Sequence, residues 1–127
     1  DDSMLKLYAN RKSIDQVEKL DLVSESEYLM QHLDFQIGNY QKQIDVLQKE
    51  ESANQDLITS TNKDIQDLEA SKEYQTEEEQ SQTNEKISQA KQQITAFQNK
   101  NASLESQITE YQERIDILNK KKQTQGE

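Results

Sequence analysis

Apolar residues recur at alternating intervals of three and four along two stretches of the chain. The first runs Met30, Leu33, Ile37, Tyr40, Ile44, Leu47, then Ile58, Ile65 and Leu68. The second runs Ile87, Ala90, Ile94, Phe97, Leu104, Ile108, Tyr111, Ile115 and Leu118. This alternation gathers the residues onto one stripe of an α-helix, and over several heptads it is the a/d seam of a coiled coil. The pattern predicts an all-α fold of long coiled-coil helices.

Between the stretches, from Gln75 to Lys86, there is no apolar residue, and the heptad phase slips by one. Counting in sevens from Met30 arrives at Lys86, whereas the seam resumes at Ile87. Two structures account for the slip. The chain turns back as an antiparallel hairpin, or one helix continues with a skip residue and pairs with another chain. Thr76-Glu77-Glu78-Glu79 favours the hairpin. Threonine three residues before glutamate is a capping box, and three carboxylates in a first turn meet the positive end of the helix dipole. The gap lacks Gly, a common residue in tight helical reversals, which weighs toward the continuous helix. The expectation is a hairpin domain over 24–123, with helices over about 25–73 and 77–122, a turn near 73–76 and a disordered tail at 124–127.

In an antiparallel pair an a position faces a d position, and two registers suit the sequence. Pairing residues whose numbers add to 155 sets Asn54 opposite Asn101, Ile58 opposite Phe97, Ile65 opposite Ala90 and Leu68 opposite Ile87. A sum of 148 suits the Thr76 cap better but leaves Asn54 facing Ile94. A parallel homodimer would instead pair Asn54 with its own copy. Glu51, Asn54, Thr61 and Asn101 are polar residues at seam positions. Such residues set register at a cost in stability, and Glu51 with Asn54 makes a full polar heptad where loosening is expected.

Residues 1–23 read as a short N-terminal helical segment, with Met4, Leu7, Ile14 and Val17 near helical spacing. Ser24-Glu25-Ser26-Glu27 is a second capping box and marks a helix start near residue 25. Tyr28, His32 and Phe35 share one face away from the seam. That face is expected to receive Val17, Leu20 and Leu22 of the first segment; the alternative is a partner-binding patch.

Composition sharpens this picture. Hydrophobic residues make up 31% of the chain and charged residues another 31%, too apolar-poor for a compact core of ordinary size. A seam needs only about two apolar residues in seven. The absence of proline and the presence of only two glycines argue against a low-complexity disordered chain. The net charge of −10 speaks against nucleic acid as a partner, since phosphate binding needs clustered Lys and Arg. The basic run Lys120-Lys121-Lys122 reads as favourable charge at a helix C-terminus. No stretch approaches the roughly 18 apolar residues of a membrane span, so no membrane insertion is expected. With no cysteine there is no disulfide framework.

Candidate chemistry is sparse. His32 is the only histidine, and neither a Gly-rich phosphate loop nor a calcium loop occurs. No catalytic, cofactor-binding or metal-ligating residues are expected, and no cofactor. The chain reads as a non-enzymatic coiled-coil protein acting by protein–protein contact. The expected role is a structural or scaffold subunit of an intracellular, cytoplasmic multiprotein assembly. Its partners would be other protein helices, in a self- or hetero-oligomer. The alternative is a helical rod on a bacterial cell surface that binds a host protein. A single narrow seam offsets little of the entropy lost in ordering long helices, so assembly into a helical bundle is expected.

Overall fold

The computed structural model describes the backbone of residues 2–126 and the side chains of residues 25–124. The chain is an all-α helical hairpin. Helix α1 (Asp2–Ser71) leads through a 3-10 turn (Lys72–Tyr74) into helix α2 (Glu77–Gly126), and the two long helices pack against each other. The phase slip between the two apolar runs is therefore the reversal itself, not a skip residue in a through-going helix.

Two expected helix boundaries need correction. Helix α1 does not begin near residue 25, because it runs through Ser24-Glu25-Ser26-Glu27 without an end. A capping box marks a start only where the backbone before it leaves the helix, and no glycine or proline precedes Gly38 to make it do so. Helix α2 likewise extends past residue 122 to Gly126, the first helix breaker after the seam. The expected docking of Val17, Leu20 and Leu22 lies outside the described side chains.

The hairpin divides into two compact units, Gln41–Glu113 and Asp1–Tyr40 with Arg114–Glu127. In the Gln41–Glu113 unit, Ile44, Ile58, Ile87, Ile94, Leu104 and Ile108 are buried, together with the polar Asn54 and Thr83. Leu47, Ile65, Leu68, Ala90, Phe97 and Tyr111 are half-buried beside them. In the other unit Leu33, Ile37 and Leu118 form a buried cluster against which Tyr40 and Ile115 pack, and Met30 is half-buried. Burial at intervals of three and four along both helices is what a seam one side chain wide produces. Each knob is covered by its partner helix and still touches water at its rim.

The turn reverses the chain without glycine. No described non-glycine residue has a positive φ; Gln75 instead leaves the 3-10 turn in an extended conformation (φ −106°, ψ 151°). Side chains satisfy the carbonyls that a glycine-based helix end would pair through its backbone. The Gln80 amide donates to Lys72 O at 2.9 Å and to Gln75 O at 3.3 Å, and Ser71 Oγ donates to Leu68 O at 2.7 Å. The Thr83 hydroxyl, buried at its seam position, donates to Gln75 Oε1 at 2.7 Å. At the start of α2, Thr76 Oγ1 accepts from the Glu79 backbone N–H at 3.2 Å and donates to the Glu79 carboxylate at 3.2 Å. Thr76 thus caps one of the orphan donors of the first turn.

Candidate functional site

Three polar seam residues of the Gln41–Glu113 unit come together in one layer. Asn54 Nδ2 donates to Asn101 Oδ1 at 2.9 Å, and Asn101 Nδ2 donates to the backbone carbonyl of Glu51 at 3.2 Å. Helical spacing explains the sharing. Glu51 and Asn54 are successive seam positions three residues apart, so one amide opposite them reaches both. The two asparagine numbers add to 155, which decides the register in this unit. At 148 the buried Asn54 amide would have met Ile94 and lost its partner.

The Glu51 carboxyl is the least satisfied group of the layer. Its Oε1 is buried and has no hydrogen-bond partner in the protein. Burial pushes the carboxyl above the ordinary glutamate range; a hydrogen bond to the Glu105 side chain and the charge of Glu105 push it further the same way. Beside the layer, Lys100 and Glu50 form an ion pair at 3.0 Å, both substantially exposed, of the kind worth about 0–1 kcal/mol.

The other unit carries the exposed aromatic face. The rings of Tyr28 and His32 stack with centroids 6.4 Å apart and planes 3° from parallel, one helical turn separating them. Tyr28 is 72% exposed and Phe35 66%, so neither is covered by the described residues. His32 lines an open cleft of about 480 Å³ with Leu29, Leu33, Gln36, Lys121 and Thr124, which Tyr28 and Phe35 do not line. Two cations of α2 are engaged here. Lys122 pairs with Asp34 across the helices, and the Arg114 guanidinium lies over the Tyr40 ring, 5.7 Å from its centroid. Lys122 is therefore more than charge at a helix end: it ties the two helices of this unit together.

No family model matches the chain, and no curated protein or solved structure shows significant similarity to it.

Among the described residues, no group of three or more His, Cys, Asp or Glu side chains is placed to hold a metal ion. No helix, over the described residues, is long and apolar enough to cross a membrane. Sequence reasoning missed the residues that build the turn (Ser71, Gln75, Gln80 and Thr83) and the influence of Glu105 on the Glu51 carboxyl. A signal for two of them was present. The second heptad run, extended backward from Ile87 by four and then three, lands on Thr83 and Gln80, polar residues at seam positions close to a reversal. Glu105 gave no such signal, because it sits one residue beyond the seam position Leu104.

Proposed function

We propose that this chain is a non-enzymatic coiled-coil protein that works by protein–protein contact, as a structural or scaffold subunit of an intracellular multiprotein assembly. The observation that carries the reading is how the apolar side chains are divided. Most of the described large ones are buried or half-buried in helix–helix packing; Leu29, Val46, Leu57, Tyr74 and Ile117 are exposed, and so are the aromatic Tyr28 and Phe35, which share one side of α1 two turns apart. Aromatic side chains contribute large contact area at low conformational cost, which makes them common anchors at interfaces. A partner helix laid along that side would cover both. The acidic surface, with a net charge of −10, suits a partner whose contacting face is basic.

A photo-crosslinking amino acid placed at position 35 in the full chain, compared with one at the exposed polar position Gln66, tests the reading in cells. Adducts to a helical protein, or to a second copy of the chain, are expected from position 35 well above those from position 66. Equal labelling at the two positions, together with a monomeric mass by light scattering, would remove the basis for the proposal.

A further inference from the structure

We infer that one broad face of the Gln41–Glu113 unit is a docking surface for a second copy of this chain, the two hairpins packing face to face as an antiparallel four-helix bundle. The face carries a second apolar stripe. With Ile44 and Ile58 at a and Leu47 at d, Val46 and Ala53 fall at c and Leu57 at g. Val46, Glu50, Ala53 and Leu57 thus follow one another at intervals of four, three and four. Val46 is 63% exposed and Leu57 47%; the other exposed large apolar residue of this unit, Tyr74, belongs to the turn. Lys100 and Glu50, both g positions, pair at 3.0 Å, so the g and c positions of the two helices share this side of the unit. The opposite side, built from e and b positions, carries nothing more apolar than Ala102.

A second copy fits because the face holds both a knob and its hole. Lys42, Gln43, Val46, Leu47 and Tyr111 line a shallow cleft of about 250 Å³, and Leu57 stands about 16 Å beyond Val46 along α1. Two such faces related by a two-fold axis satisfy each other. Residues of α1 whose numbers add to 103 then meet, and Leu57 of each copy enters the cleft of the other against Val46. Ala53 comes opposite Glu50, and its small side chain lets the helices approach. Glu50 brings no unpaired charge into the contact, since Lys100 already holds it. The margins are complementary too: Lys49 of one copy comes beside Asp56 of the other, and Lys42 beside Asp64, each twice. Lys63 is a like charge near Lys42 that Asp64 offsets. In this register α1 overlaps its copy over 41–62, so the face is about 33 Å long and, with two helices side by side, about 20 Å wide. Roughly 650 Å² a side, or about 1,300 Å² in all, falls within the range of specific interfaces.

The chain has no cysteine, so the register can be tested by crosslinking the full chain. A Val46→Cys chain and a Leu57→Cys chain of different tag length are mixed and oxidised. Mixed disulfide dimers are expected at least about tenfold above dimers of either chain with itself, because like positions lie about 16 Å apart in this register, beyond the reach of a disulfide. Light scattering of the chain at high micromolar concentration should give twice its mass of 14.8 kDa. Leu57→Glu should weaken the dimer at least about tenfold in Kd, read from the dilution at which it dissociates. Phe35→Glu adds the same charge in the other unit and should leave the dimer unchanged, which separates this face from the side bearing Tyr28 and Phe35. Positions 46 and 57 are exposed, so each variant should keep the helical circular-dichroism spectrum of the parent chain. A monomeric mass, a dimer indifferent to Leu57→Glu, or crosslinks between like positions equal to the mixed ones would overturn the inference. The crosslinking decides the matter even if Leu57→Glu folds poorly.

Discussion

Asn54 and Asn101 do opposite things to stability and to specificity. A buried amide is tolerated when its donors and acceptors are paired, and Asn101 spends its oxygen on Asn54 and its nitrogen on the Glu51 carbonyl. Leucine at position 54 alone would strand the Asn101 oxygen, and the expected loss is about 1–3 kcal/mol. Leucine at both positions fills the layer with apolar volume and is expected to be neutral or stabilising, while removing the penalty on other registers. Urea unfolding of the two single variants and the double closes the cycle; a coupling energy near zero would show that the bond contributes nothing. That these asparagines sit in the seam is plain from their spacing. Which residue each faces is not, because sums of 155 and 148 satisfy the same periodicity.

At the scale of elements, capping and propensity add to the stability that packing along the seam supplies. Thr76 accepts the Glu79 N–H, so Thr76→Ala should cost about 1 kcal/mol by exposing an orphan donor. Gly38 lies inside α1, and a Cβ built there meets nothing within 4 Å. Gly38→Ala should therefore stabilise the helix by roughly 0.5–1 kcal/mol, since alanine loses less backbone entropy and has room for its methyl. Thermal unfolding by circular dichroism should show the two substitutions moving the midpoint in opposite directions; a fall for Gly38→Ala would mean that the position is constrained in a way the helix geometry does not show. The capping box at Thr76 announced α2 correctly, while the equivalent signal at Ser24 did not begin α1. The difference lies in what precedes each box. Before Thr76 the backbone leaves the helix at an extended Gln75, and before Ser24 no residue type in the sequence interrupts it.

For the molecule as a whole, charge and a narrow seam pull against each other. A net charge of −10 repels itself across a fold whose core is only one side chain wide. Added sodium chloride, up to about 1 M where the Debye length is about 3 Å, is expected to raise the thermal midpoint by screening that repulsion. A lowered midpoint would instead show that cross-helix ion pairs such as Lys100–Glu50 dominate. Hydrophobic spacing alone determined that the chain is helical, which stripe of each helix is apolar, and where the stripe is interrupted, because periodicity is a property of one helix at a time. What meets across the seam was decided only by the tertiary structure: Asn54 with Asn101, and Asn101 with the Glu51 carbonyl. Those pairings join residues distant in the chain, and their identity depends on how the reversal at 72–76 sets one helix against the other, a length and an angle that no local spacing encodes.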